Sequence, residues 1–526
     1  MSARRDRYDA VIVGGGHNGL VAAAYLARAG CSCLLLERLP SLGGAAVSEE
    51  IFPGLPARLS RYSYLVSLLP ELIVRELGLE VRLLPRSVSS YTPDPRAAGS
   101  RGLLIDNADP AGTRSSFRKI TGGDSDHAGW ESFYAMTRRV AQSIFPTLTQ
   151  PLRSREQLRA LVGEDRAWEA IFERPLCEAL ADAFGDDLVS GVALTDALIG
   201  TFAAAGASDL LQNRCFLYHV IGRGSGAWEV PLGGMGTIVA ELARAARAAG
   251  AELLTASEVL GIEPEGESAG VRYRDGEHER VVGARRVLVG AAPWELQRLL
   301  GRKQDLRRQP EGAQVKLNML LRRLPRLKDP EVEPEVAFAG TLHVNEMASQ
   351  LEQAHVRATA GTLPAPVPCE AYCHSLTDPS ILGPELRAAG AHTLTVFALH
   401  TPARIFRDDP VASRDAALRA VLESLQMVLA EPVEDCLMRR PDGGSCLEIH
   451  TPIDLQEELR MPAGHIFHRD LSWPFASSEE DVGGWGVGSG ERAVLLCGAG
   501  AQRGGGVSGI PGRNAAMAAI AELAPG

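Results

Sequence analysis

The first strong pattern in the chain is a short apolar run, Tyr8 to Val13 (YDAVIV), cut off by Gly14-Gly15-Gly16-His17-Asn18-Gly19. The apolar character resumes as LVAAAYLARAG and stops at Gly30, and a second apolar run from Ser32 to Leu36 ends in Glu37. Short apolar runs bounded by glycine predict buried strands, and the alanine-rich segment between them predicts a helix. Near the far end the pattern returns: Ala493 to Cys497 (AVLLC) predicts a buried strand, and a final helix is predicted to begin around Arg513.

The strand–turn–helix–strand order gives the glycines a mechanical meaning. Gly14 permits a tight turn and Gly16 lets backbone approach a pyrophosphate. Gly19 lets helix and strand pack closely, and the helix start that holds Asn18 offers positive potential to phosphate. Glu37, at the tip of the second strand, is placed to accept hydrogen bonds from ribose hydroxyls, with Arg38 beside it. A second glycine pair, Gly43-Gly44, followed by Ala45, lets the chain pass the pyrophosphate again. That pair resembles the flavin-binding amine oxidase and phytoene desaturase group and points to FAD rather than NAD.

The carboxy-terminal strand runs into Gly498-Ala499-Gly500, and Gly504-Gly505-Gly506-Val507-Ser508-Gly509 precedes the last helix. Two glycine clusters around a strand-to-helix turn imply backbone lying against a ligand. The resemblance to the flavin-binding group implies that this ligand is the same flavin, with Gly498, Gly506, Val507 and Ser508 as candidates and a helix N-terminus to stabilise the charge of reduced flavin.

Composition narrows the partners. The chain has 526 residues, enough for two domains, and a formal net charge of −11, which argues against nucleic acid. Its nine cysteines are scattered without a CxxC pair or a zinc-ligand set, so no metal is expected and reduced thiols in a cytoplasm are. Neither a signal peptide nor an apolar stretch of membrane-spanning length is expected. Oligomeric state is not legible.

Longer stretches carry a resemblance: GGGHNGLVAAAYLARAG (14–30), SRYSYLVSLL (60–69), GAWEVPLGGMGTIVAELA (226–243), DPSILGPELRAAGAH (378–392), TPIDLQEEL (451–459), GHIFHRDLS (464–472) and GGGVSGIPGRNAA (504–516). Together they resemble the phytoene desaturase-like flavoproteins, in the branch of pyridine nucleotide-disulfide oxidoreductase domain-containing protein 2, nearly end to end. The resemblance implies an α/β protein with a glutathione-reductase-type, Rossmann-like FAD-binding domain and an interleaved α+β substrate domain. It assigns residues 1–89, 225–304 and 446–526 to the first, and residues 90–224 (mostly helical) and 305–445 (strand-rich) to the second. It also implies a third flavin segment: a strand from Ala251 to Thr255, then the Val259 backbone holding adenine. The strand Arg286 to Val289 then leads back to the flavin domain.

Two activities in that family's names are excluded by the residues. A redox disulfide needs cysteines after the glycine pair, where this chain has Gly44-Ala45-Ala46-Val47-Ser48, and no second strand–GxGxxG–helix unit exists for NAD(P)H. No Cys or His stands between Gly498 and Gly509, so FAD is expected to be bound non-covalently. The family's usual His-Pro pair between the last glycine clusters is replaced here by Gln502-Arg503.

The resemblance implies hydride removal from a mostly apolar small molecule to flavin N5, of desaturase type, with oxygen or a quinone as acceptor and decarboxylation as an optional companion. Double-bond isomerisation and a non-catalytic binding role are the alternatives. Lys316, on an alternating strand, and His468, after Gly464, are the catalytic candidates. Tyr62, Tyr64, Arg61, Gln502 and Arg503 are the substrate candidates, the arginines for their fit to a carboxylate.

Overall fold

The computed structural model describes residues 5–523, which form two seven-stranded sheets with helices packed around them. The first sheet is built on β1 (Arg7–Val13), flanked in parallel by β2 (Cys33–Leu36) on one side and by His278–Val289 on the other. Glu252–Leu254 extends it beyond β2, and Val494–Leu496 pairs with the end of His278–Val289. Parallel strands covered on both faces read as continuous apolar runs, and Val11, Ile12, Leu34, Leu35, Val287 and Leu288 are all buried. The first half of His278–Val289 also carries an antiparallel meander with Ser268–Asp275 and Val259–Glu265.

Helix α1 (His17–Arg28) is alanine-rich because neighbouring helices press closely on it. Its Leu20, Ala23, Ala24 and Ala27 share one core with Met235 and Leu242 of Met235–Ala248 and with Ala515 and Ala519 of Ile510–Leu523. That last helix starts at Ile510, earlier than the pattern of the sequence predicts. The Ser508 hydroxyl accepts the Ile510 N–H at 3.2 Å, and Pro511 sits in the first turn, where its missing donor costs nothing.

The second sheet runs in the order Leu447–His450, Val315–Leu321, His392–Ala398, Cys369–Tyr372, Thr341–Val344, Val88–Pro93, Gly102–Asp106. The strand Leu447–His450 belongs to this sheet, so the sheet reaches past residue 445 into the segment assigned from sequence to the flavin side. All seven residues of Val315–Leu321 are buried, and strand alternation sorts them. Leu317 and Met319 face the core that includes Val421 and Leu425 of the helix Pro410–Gln426, whereas Lys316 and Asn318 bond the Ser60–Tyr62 segment on the other face. Residues 110–220 are helical and build their own core around Trp168, Phe216 and Leu188, which reaches the sheet at Phe397.

Candidate active site

A cavity of about 790 Å³ runs from the glycine turn of the first sheet to the face of the second. Its first end is the turn between β1 and α1. Gly14, with φ +100°, donates its N–H to Leu36 O at 2.8 Å, and a Cβ on Gly19 would lie 2.1 Å from Gly14 O. Helix and strand approach at a distance only glycine allows. Among the described residues, no side chain caps α1 at Gly16, leaving the first-turn N–H groups for a ligand, and the Asn18 Oδ1 is buried without a partner.

Glu37 stands at the tip of β2. Its carboxylate accepts the Gly15 N–H at 2.6 Å and the Leu39 N–H at 2.7 Å, which fixes it at the cavity wall. Gly43 donates to Gly15 O at 2.9 Å and holds the second glycine pair against the first turn. A Cβ on Gly44 would come within 3.4 Å of the Gly16 Cα. Arg38, Gly44, Ala45, Val259, Gly506 and Val507 line the same stretch of cavity.

Lys316, His468 and His17, the first residue of α1, also line the cavity. The Lys316 ammonium donates to the carbonyls of Ser60, Arg61 and Tyr62 at 2.8, 2.9 and 2.9 Å, using three N–H bonds that only the protonated form possesses. Burial pulls its pKa down to about 7, against the attraction of Glu448. His468, held at φ +69°, is pushed by burial to about 4, so its ring is neutral; its Nδ1 is buried and has no partner among the described residues. His17, also depressed to about 4 by burial, bonds the Gly506 carbonyl.

Beyond these groups the walls are aromatic. The Tyr64 ring lies 4.8 Å from Tyr372 and 5.6 Å from Phe397 between centroids, with Lys316 Nζ 5.2 Å from its centre. Tyr218, Trp228, Phe467, Trp130 and Tyr134 add to the lining. At the far end this surface gives way to a polar pole formed by Arg86, Asp196, His343 and Glu370. Burial raises the carboxyl of Asp196 to about 6 and that of Glu370 to about 8.

Of the residues singled out from sequence, Gly14, Gly16, Asn18, Gly19, Glu37, Arg38, Gly44, Ala45, Tyr62, Tyr64, Val259, Lys316, His468, Gly506 and Val507 meet at this cavity. Others do not line it. Arg61 turns away to Glu448 at 2.8 Å and Glu49 at 3.1 Å. Gln502 donates to the Phe475 carbonyl, and buried Arg503 donates to the carbonyls of Thr147, Gln150 and Trp485. Gln502 thus ties the last glycine segment to the loop at Phe475, and Arg503 ties it to the helical layer at Thr147 and Gln150. Gly498 packs on Gly290, whose carbonyl a Cβ would meet at 2.2 Å, Gly43 supports the turn from behind, and Ser508 caps the last helix. The polar pole escaped the sequence reading. Its one local signal was Glu370, an acid inside the otherwise apolar strand Cys369–Tyr372.

Residues 19–437 match the family described as flavin containing amine oxidoreductase. The chain belongs to that family. This flavoprotein is 51% identical to an uncharacterized protein of Mycobacterium tuberculosis, over 100% of this chain and 99% of the relative. It is 30% identical to pyridine nucleotide-disulfide oxidoreductase domain-containing protein 2 of Mus musculus, over 99% of this chain and 94% of the relative. Among solved structures, a putrescine oxidase mutant superposes with a TM-score of 0.58 at 15% identity, covering 98% of each chain. Cyclohexylamine oxidase from Brevibacterium oxydans gives 0.54 at 17%, covering 98% of this chain and 99% of that one. These likenesses show the same fold. The flavoprotein is an FAD-dependent oxidoreductase, and the uncapped helix, the Glu37 carboxylate and the glycine cradle fit FAD. Among the described residues no helix is long and apolar enough to cross a membrane.

Proposed function

We propose that this oxidoreductase removes a hydride and a proton from a small molecule with a flat apolar body and a polar end. Glu37 and the first turn of α1 hold the adenosine and pyrophosphate side of FAD, and the Gly506-Val507 segment closes over its other end. When bound, FAD supplies the two-electron sink for the oxidation. Tyr64, Tyr372 and Phe397 orient the apolar body by stacking. Lys316, held by three carbonyls, presents a fixed positive charge at the cavity wall. Neutral His468, with an unpartnered nitrogen, is available to take up the proton. Oxygen or a quinone is the acceptor under this reading.

The observation that supports it is the continuity of one cavity from the nucleotide turn to the buried polar pole. That polar pole departs from a wholly apolar polyene substrate and favours a molecule with a hydrogen-bonding head group. The test is an anaerobic titration followed by flavin absorbance. Amines, hydroxy acids and unsaturated carboxylic acids are added in turn. Bleaching by one class, reversed on admitting air, supports the reading. A flavin that none of the three classes reduces overturns it.

A further inference from the structure

The polar pole contains a donor set that neither the family match nor the relatives assign. His343 lies on the strand Thr341–Val344 directly across from Glu370 on Cys369–Tyr372. Asn345, in the left-handed region at φ +58°, turns the chain sharply just after the strand. That turn brings Glu346 back under its own strand, where one carboxylate oxygen sits 2.5 Å from His343 Nδ1. The same nitrogen is 3.5 Å from a Glu370 oxygen, and one donor atom from each of the three side chains lies within 4.8 Å of the others.

We propose that His343, Glu346 and Glu370 bind one divalent transition-metal ion at the end of the cavity opposite the nucleotide turn. The three side chains are almost fully buried, at 6%, 0% and 2% exposure, and burying acidic groups without a cation is costly. Arg86 feels the Glu370 charge, but the hydrogen bonds it makes go elsewhere. Arg86 directs its hydrogen bonds to the Thr341 hydroxyl at 3.0 Å and the Trp228 carbonyl at 3.3 Å. The second oxygen of Glu346 is buried and without a partner among the described residues, although its carboxyl is part of the cluster.

The surroundings suit an ion. One imidazole and two carboxylates are donors that zinc, manganese and ferrous iron accept. Tyr372 donates to Glu370, and Thr195 donates to Glu346 at 3.3 Å, so both carboxylates carry orienting hydrogen bonds from outside the cluster. Helix Asp187–Thr195 presses on the site from behind, where a Cβ on Gly191 would meet the Glu346 carbonyl at 1.9 Å. His343 and Glu370 line the cavity, so an ion with three protein ligands keeps a coordination position open toward it. An oxygen or nitrogen donor on a bound small molecule can fill that position. Cysteine and histidine spacing gave no sign of such a set, because strand pairing assembles it.

The site is tested on the flavin-loaded protein with the metal alone, so the outcome is independent of the substrate reading. After equilibration with Mn²⁺ or Zn²⁺ and desalting, elemental analysis is expected to find about one ion per chain. Glu346→Gln and His343→Ala are each expected to lower retention about tenfold or more with flavin content unchanged. In the Mn²⁺-loaded wild type, pulsed electron paramagnetic resonance is expected to show one directly coordinated nitrogen, a readout that needs no variant. Wild-type protein without stoichiometric metal overturns the proposal. So does equal retention in both variants, or bound Mn²⁺ with no nitrogen coupling.

Discussion

The imidazole Nε2 of His17 lies 3.2 Å from the carbonyl oxygen of Gly506, a contact that spans 489 positions of the sequence. It ties the start of α1 to the last glycine cluster. With burial holding the ring near pKa 4, His17 is neutral and donates through that nitrogen. The two backbone segments proposed to enclose the cofactor are thereby held at one separation. His17→Ala is expected to weaken FAD binding by about tenfold, the worth of roughly 1.4 kcal/mol for a lost buried hydrogen bond. Titration of apoprotein with FAD, followed by fluorescence quenching, measures it. Unchanged affinity would show that the contact holds nothing.

Gly19 sets the distance between helix and strand. Its Cβ position is 2.1 Å from Gly14 O, and both partners are backbone, so neither can rotate aside. Gly19→Ala is expected to cost about 1–3 kcal/mol of stability and most of the FAD affinity, because the turn must open. Denaturant unfolding of the variant, with and without FAD, measures both. A variant that binds FAD as the wild type does contradicts the close approach.

Lys316 makes stability depend on pH. Its folded pKa is depressed from 10.5 to about 7, so between those values the unfolded chain binds the proton more tightly than the native one. This group therefore adds stability as pH rises from about 7 towards 10, by up to about 1.4 kcal/mol per pH unit. Below pH 7 its contribution no longer changes. Unfolding free energies for the wild type and Lys316→Met, compared at several pH values, isolate the effect. The difference between them is expected to grow in favour of wild type across that window, and parallel curves refute the assignment.

Arg503 is a structural residue, held by three carbonyls. Arg503→Met leaves those acceptors unpaired and is expected to destabilise the protein by about 3 kcal/mol. Once a substrate is known, its KM should be unchanged, since Arg503 does not face the cavity. A raised KM at constant melting temperature would restore it to substrate binding.

Local order carried the nucleotide half of the fold. A buried strand, a glycine turn, a helix and an acid-tipped strand are contiguous, and their geometry follows from φ angles and hydrogen bonds among near neighbours, so Gly14, Gly16, Gly19 and Glu37 could be read one by one. Alternation likewise placed Lys316 on the face of its strand opposite Val315 and Leu317, and only the structure shows that this face is buried too. The union of these residues with Val259 and Gly506 was legible only through resemblance, since no spacing rule joins segments so far apart.

The sequence by itself therefore determined the cofactor, the nucleotide-binding unit and the general chemistry. Tertiary structure alone decided which polar side chains share a surface. It turned Arg61, Gln502 and Arg503 away from the cavity, because nearby carboxylates and carbonyls satisfy them better. It brought His343 and Glu370 face to face by the register of two strands and returned Glu346 to them through one left-handed residue. Register and long-range pairing are set by the packing of whole sheets, and no local pattern records them.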